Sequence, residues 1–301
     1  MQKFIFTADW HLRASVPICR SEKQDEWLVF MEKVVSDVIN IAEKNGADII
    51  IAGDIFHTYK VPSYVLNMLL DKMLCSEIIF YIIPGQHDLW GHNEKELTKY
   101  SSYGTLELLA KDKRTNIRLA KDYFAYLPYG GEEVAGKKDS DMLIMHRLIY
   151  SDSFLPKDPH SAEEILKRYP YSVIISGDNH RGFVYERDGR KLIVPGCLTV
   201  QSSDFKDYKP SVVLYDSSSK ETTRHLVYNK AENIIDEHIG DKENDKFSSF
   251  IVILKSENKF NLSFEDNVKQ ALENETNMDV KMKKEIIYYL KKGVDYDSRG
   301  I

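Results

Sequence analysis

Hydrophobic and polar positions follow two rhythms over the first two-thirds of the chain. Short, nearly unbroken apolar runs occur at Phe4–Thr7, Ala47–Ala52, Ile78–Ile83, Met142–Met145 and Val173–Ser176. They have the length and texture of strands buried on both faces. From Gln24 to Lys44, residues Trp27, Leu28, Met31, Val34, Val35, Val38, Ile41 and Ala42 recur every three or four positions. That spacing predicts a helix, and Asn45-Gly46 predicts its end. Pro62 predicts the start of a second helix running through Val65, Leu66, Leu69, Leu70 and Met73. The alternation predicts an α/β fold with parallel strands.

After Asp178 the pattern changes. Phe183–Glu186 and Lys191–Val194 flank Asp188-Gly189, which predicts a hairpin. Val212–Tyr215 and Arg224–Tyr228 predict two further strands. From about Asn229 the apolar runs thin out to Phe250–Leu254 and Ile286–Leu290, with helical spacing at Phe264–Asn274 and Val280–Lys292. The polar stretch Ile239–Lys246 is the expected linker. The expectation is a main domain over 1–228 and a small α+β appendage over 229–301, for capping or partner docking.

The polar residues sit at one kind of place. Phe4–Thr7 is followed by Asp9 and His11, and Ala47–Ala52 by Gly53, Asp54 and His57. Ile78–Ile83 is followed by Gly85-Gln86-His87-Asp88, Met142–Met145 by His146, and Val173–Ser176 by Gly177-Asp178-Asn179-His180. Carboxyl ends of parallel strands share an edge where ligands bind, so residues far apart in sequence can converge there. One His alone is most often a surface or hydrogen-bonded group. Five of the nine His in these segments make coincidence a poor account. His and Asp without Cys suit Mn, Mg, Fe or Zn. The glycines before Asp54, Gln86 and Asp178 are expected to allow tight turns there.

Composition narrows the picture. With 41 Lys plus Arg against 47 Asp plus Glu, the net charge of −6 argues against gripping nucleic acid by bulk charge. The expected appendage, with 12 basic and 15 acidic residues, offers no basic clamp either. No apolar run approaches membrane-spanning length, and the N-terminus lacks a signal peptide's apolar region, so no membrane association is expected. Cys19, Cys75 and Cys197 show no framework or CxxC spacing. Each is expected to be a small, buried or half-buried side chain in a reducing compartment, the cytoplasm, or a host's cytoplasm for a phage-encoded chain.

These segments resemble the motifs of calcineurin-like metallophosphoesterases. Within that superfamily, Thr7-Ala8-Asp9-Trp10-His11-Leu12 and Gly53-Asp54-Ile55-Phe56-His57 resemble the SbcD-type nuclease subunits of double-strand-break repair and their phage relatives. Val194-Pro195-Gly196-Cys197-Leu198, then Lys209-Pro210 and a strand, looks like the loop and strands that close that domain. The resemblance covers about residues 1–228. It implies a sandwich of two mixed β-sheets flanked by helices and a two-metal site. It implies that Asp9, His11 and His180 hold one ion, that Asp54 bridges, and that Gln86, His146 and Asp178 hold the other. His87 would be the non-ligand proton donor, Asp88 would orient its neighbours, and His57 would position the phosphate. Two divalent ions about 3.5–4 Å apart clamp a phosphodiester and activate water.

Two positions depart from the family: Gln86 stands where Asn is usual, and Asp178 where His is usual. With Asp9, Asp54 and Asp178 the site becomes oxygen-rich, so Mn²⁺ is expected, with Mg²⁺ next. Arg13, Lys60, Arg147, Arg181 and Lys206 follow motif segments and could contact phosphate. Trp10, Phe56, Tyr59, Trp90 and Tyr150 could stack on bases. The implied activity is Mn-dependent hydrolysis of DNA, as an exonuclease or endonuclease. The implied partners are the DNA substrate, an SbcC-like coiled-coil ATPase and a second copy of the chain. The motifs equally allow a phosphoesterase for other substrates, or a binding subunit with a degenerate second metal position.

Overall fold

The computed structural model describes residues 2–92, 100–151, 158–202, 205–230 and 233–234. The first apolar run forms β1 (Lys3–Thr7). It leads to α1 (Gln24–Asn45), where Glu26 Oε2 accepts from Lys23 N at 3.0 Å. Gly46 closes α1 in the left-handed conformation, its N–H returning to Ala42 and Glu43 carbonyls. Then come β2 (Ala47–Ala52), α2 (Ser63–Leu74), β3 (Phe80–Ile83), α3 (Tyr103–Ala110), β4 (Ile117–Leu119), β5 (Ala125–Leu127) and β6 (Ala135–Gly136). The rest are β7 (Met142–His146), α4 (Ala162–Arg168), β8 (Val173–Gly177), β9 (Phe183–Arg187), β10 (Arg190–Val194), β11 (Ser211–Asp216) and β12 (Thr222–Leu226).

The strands form two six-stranded sheets, in the orders β12-β11-β1-β2-β3-β4 and β6-β5-β7-β8-β10-β9. Both are mixed. β1 to β4 run parallel and β11 is antiparallel to β1. In the second sheet β5, β7, β8 and β10 run parallel, with antiparallel β6 and β9 at the edges. The five motif-bearing strands are therefore divided, three in one sheet and two in the other. The hairpin forms as the sequence predicts. Arg187 pairs with Arg190, and Asp188 and Gly189 have φ of 52° and 72°, a two-residue turn with both residues left-handed.

Packing explains why the strands are apolar throughout. Ile5 of β1 joins Trp27, Val34 and Val38 of α1, while Phe4 and Phe6 face the second sheet with Tyr126, Ile144 and Ile175. On β7, Ile144 belongs to this inter-sheet layer, while Leu143 and Met145 pack on Ile165 and Leu166 of α4. The layers run helix, sheet, sheet, helix, and the long strands are buried on both faces. Fully buried side chains such as Phe6 and Ile50 contribute about 1.5–3 kcal/mol each.

The chain divides into two units, Met1–Glu237 and His238–Ile301. In the first, Arg20 and Ile234 form an antiparallel bridge and Ser21 N donates to Asn233 O at 2.9 Å. The buried Arg20–Glu22 ion pair lies beside it, with the guanidinium 4.6 Å from the Phe30 ring centroid. The expected linker at 239–246, and the helical and strand-like runs beyond it, lie outside the described residues. Among the described residues, no helix is long and apolar enough to cross a membrane. Cys19 and Cys197 are buried free thiols; Cys75 corrects the expectation, being an exposed one at the end of α2.

Candidate functional site

The loops after β1 and β2 continue the parallel pairing of their strands. Asp9 N donates to Gly53 O (3.1 Å), His11 N to Asp54 O (3.0 Å) and Leu12 N to Ile55 O (2.9 Å). This places Asp9, His11 and Asp54 side by side, almost fully buried. His146 enters from the end of β7 in the second sheet, its Nδ1–H donating to Ala52 O at 2.8 Å. The site thus lies where the carboxyl ends of both sheets meet.

The backbone is strained here. Asp9, His11, Asp54 and Asp178 have φ of 51°, 46°, 52° and 77°, four of the six described non-glycine residues with positive φ. The other two, Asp188 and Lys220, are in turns between strands. A left-handed non-glycine residue costs about 1 kcal/mol or more, and such strain gathers at functional sites. The preceding glycines serve two purposes. Gly53 has φ of 89°, and a Cβ there would also collide with His146 Nδ1. Gly85 needs no unusual φ, but a Cβ would collide with the Asp54 carboxylate.

Among the described residues, three groups of side chains bring ligand atoms within 4.8 Å of one another and could hold a metal ion: Asp9, His11 and His180; Asp9, Asp54 and His146; and His11, His57 and His87. His11 Nε2 lies 3.0 Å from His180 Nε2, and Asp54 Oδ2 lies 3.2 Å from His146 Nε2. Asp54 Oδ2, His146 Nε2 and His11 Nδ1 are buried without a hydrogen-bond partner. Buried carboxylate and imidazole atoms that converge in this way suit a divalent ion. Asp178 joins none of these groups. Its N–H donates to both carboxylate oxygens of Asp9 (3.0 and 3.1 Å), and its Oδ1 accepts from Gln86 Nε2 at 3.2 Å.

Electrostatics follow from burial. Burial pushes the Asp9 carboxyl up to about 7. Burial also acts on Asp54 and His146, but their mutual attraction prevails. Asp54 is held down to about 2 and His146 up to about 10. Burial holds His11 and His180 below the usual imidazole range. Asp88 is pushed up to about 7 by burial and by Asp54, against three backbone donors.

Those donors show what Asp88 does. Its carboxylate accepts from Ile55 N (3.1 Å), Phe56 N (2.9 Å) and Gly85 N (3.0 Å), tying the loops after β2 and β3 together. His87 N donates to Asp54 Oδ1 at 2.9 Å, and His87 Nδ1–H donates to His57 O at 2.9 Å. That leaves His87 Nε2 turned towards the cluster, 4.0 Å from Asp54 Oδ2. The His57 ring stacks on His87, with centroids 5.6 Å apart and 13° between planes. Arg13 Nη1 donates to His57 Nε2 at 2.9 Å, and burial followed by that guanidinium lowers His57 to about 4.

The remaining basic residues take different positions. Arg13 is also held by Ser15. Arg147 is half-buried and donates to Gly131 O at 2.9 Å. Lys60, Arg181 and Lys206 are exposed, Arg181 lying 5.1 Å from the Phe205 ring centroid. Trp10 and Phe56 are fully buried in the helix-side core and so are not available for stacking on bases. Tyr59 and Trp90 pack edge-on at 4.7 Å and are partly exposed, and Tyr150 is exposed. Two groups at the site have no motif in the sequence. The Tyr129 hydroxyl donates to Gln86 Oε1 at 2.9 Å, and Gln201 Nε2 donates to His11 O at 3.1 Å.

Comparison with known proteins agrees with this architecture. The family described as calcineurin-like phosphoesterase matches residues 2–182, more than half of the chain. No curated protein matches the chain significantly. Similar solved structures include TT1561 of Thermus thermophilus, with 12% identity, 75% of this chain and 98% of that one covered, and a TM-score of 0.46. A protein of Pyrococcus horikoshii, PH1004, has 12% identity, coverages of 83% and 94%, and a TM-score of 0.42. An archaeal phosphodiesterase has 15% identity, coverages of 75% and 99%, and a TM-score of 0.39. At these identities and scores none of the three bears on substrate. The family match, running from β1 through the loop that carries His180, makes this chain a member of the calcineurin-like phosphoesterases, metal-binding hydrolases of phosphoester bonds.

Proposed function

We propose that the chain is a DNA nuclease of the SbcD type, exonuclease or endonuclease, that works with two divalent ions and prefers Mn²⁺. Asp9, His11 and His180 would hold one ion and His146, Gln86 and Asp178 the other, with Asp54 between them. When bound, the ions supply positive charge to the phosphate oxygens and lower the pKa of the attacking water. The rest falls to the chain's own residues. Asp88 fixes the two loops that carry Asp54 and His87. The His57 carbonyl holds His87 Nδ1–H, so the protonated ring directs Nε2–H at the leaving oxygen. Arg13 donates to His57 Nε2, which keeps the His57 proton on Nδ1.

The observation that carries this reading is the stacked His57–His87 pair with Arg13, at the rim of the His/Asp cluster. One imidazole serves the leaving oxygen and the other, backed by a cation, serves the phosphate. The carboxylates Asp9, Asp54 and Asp178 favour Mn²⁺ over Zn²⁺. The net charge of −6 fits a chain whose grip on DNA is weak without metal. An SbcC-like ATPase is the proposed partner that strengthens it. Arg181 and Lys60, exposed beside His180 and His57 in sequence, are the proposed phosphate contacts.

The test uses metal-free protein given linear duplex, circular and single-stranded DNA with Mn²⁺, Mg²⁺ or Zn²⁺, with bis-p-nitrophenyl phosphate in parallel. Degradation of DNA in Mn²⁺ is expected. Hydrolysis of the small diester with every DNA intact sinks the nuclease reading. Full activity in Zn²⁺ with none in Mn²⁺ sinks the metal assignment.

A further inference from the structure

Gln86 and Asp178 bind each other beside the His/Asp groups. Gln86 Nε2 donates to Asp178 Oδ1 at 3.2 Å, and Gln86 Oε1 accepts from the Tyr129 hydroxyl at 2.9 Å. The three side chains come from three loops, after β3, β8 and β5. The Tyr129 turn is itself fastened. Gly131 N donates to Pro128 O at 2.9 Å, and Arg147 Nη2 donates to Gly131 O at 2.9 Å. Arg147 directly follows His146, so the anchor of this turn is the strand that brings His146 to the site. A contact thus runs from β7 through the Tyr129 turn to Gln86 and on to Asp178.

The chemistry of the three groups gives this arrangement a purpose. A carboxamide has a donor end and an acceptor end. Against the Asp178 carboxylate itself, Gln86 offers its N–H. A divalent ion shared with that carboxylate demands the amide oxygen instead. A tyrosine hydroxyl both donates and accepts, so it can hold the amide by either end. The long Gln side chain, with its three torsions, is kept against Asp178 in both cases.

We propose that Tyr129 is the positioning residue of the second ion position, holding Gln86 and Asp178 as one unit while Arg147 steadies its turn. The proposal rests on the metal-dependent reading above. It explains why a side chain one methylene longer than the family's usual Asn is used here: Gln86 must span from Tyr129 to Asp178.

Calorimetric titration of the full chain, stripped of metal, with Mn²⁺ tests it in wild type, Tyr129→Phe, Gln86→Ala and the double variant. Wild type is expected to bind two ions. Tyr129→Phe weakens the weaker event by about tenfold and leaves the tighter one within about twofold. In the Gln86→Ala background, Tyr129→Phe adds no further loss, because both act through one contact. Unchanged affinity in Tyr129→Phe, equal weakening of both events, or additive losses overturn the proposal. So does a fall in the metal-free melting temperature large enough to account for the loss, since the hydroxyl would then be structural. Wild type that binds no Mn²⁺ overturns the metal-dependent reading and this proposal together, whereas two ions in wild type with an indifferent Tyr129→Phe overturns this proposal alone.

Discussion

The two sides of the site are built in different ways. On the side of β1 and β2, main chain holds main chain between the two loops, with the Asp88 carboxylate fastening the second. Asp9, His11 and Asp54 are buried, left-handed and joined by backbone hydrogen bonds to the neighbouring loop. On the side of β8, side chains do more of the holding, beside one main-chain bond from Cys197 N to His180 O at 3.1 Å and a left-handed Asp178. Asp178 and His180 are half-buried, Asn179 Nδ2 donates to Ile149 O at 2.7 Å, and Arg181 N donates to Asn179 Oδ1 at 3.0 Å. Backbone pairing between neighbouring strands leaves the first side few alternatives. Rotatable side chains leave the second side room to adjust.

The largest expected effect is on chemistry at the first side. His87→Ala should lower the rate of phosphodiester hydrolysis by about 10²–10⁴-fold with metal content nearly unchanged, measured by single-turnover assay and elemental analysis. Loss of both ions in this variant would make His87 a ligand, and the groups that could hold an ion include it with His11 and His57. Next comes stability. Gly53→Ala forces an alanine to φ of 89° with its Cβ against His146, and should cost about 2–4 kcal/mol in denaturant unfolding. Asn179→Ala on the second side should cost about 1 kcal/mol. Equal costs would break the comparison.

The last test is a pH dependence. Burial pushes the Asp9 carboxyl from 3.8, its value in an unfolded chain, up to about 7. Between those values the folded state holds a proton that the unfolded state has released, so this group's contribution to stability falls as pH rises through the window. A divalent ion displaces that proton. The affinity of the ion held by Asp9 should therefore climb with pH towards about 7, by up to about tenfold per unit, while His146, held up to about 10, keeps the other position gaining affinity above that. The rise in melting temperature on adding Mn²⁺ should accordingly be greater at pH 7.5 than at pH 5. A rise that is independent of pH would mean Asp9 already carries its charge before the ion arrives.

Much of this was legible in the residues themselves. The runs at 47–52 and 142–145, the helix ending at Gly46 and the Asp188-Gly189 turn are local events, set by burial period and backbone preference. β4, β5 and β6, at two or three residues, are too short to show a period, and α3 and α4, at about two turns each, show little more. β3 begins at Phe80 because Ile79 N is already engaged with Asp48 Oδ1. Tyr129 gave no signal. A tyrosine in a Pro-Tyr-Gly-Gly turn resembles any surface aromatic until Gln86 is placed against it. Trp10 and Phe56 misled in the opposite sense, as aromatics beside the motifs that serve the core.

The sequence by itself determined which residues end which strands, because a strand's apolar length and the polar group that follows it are neighbours in the chain. Their periodicity did not say that those strands would lie in two sheets; only the resemblance of the motifs implied it, and the structure bears it out. That depends on which face of each strand meets the other sheet, and long-range packing of Phe4, Ile50, Ile144 and Ile175 decides it. The tertiary structure alone decided that Asp178 would meet Gln86, that Arg13 would serve His57, and that Asp88 would fasten backbone. Each of these depends on the last few ångströms between loops, and no spacing along the chain encodes that distance.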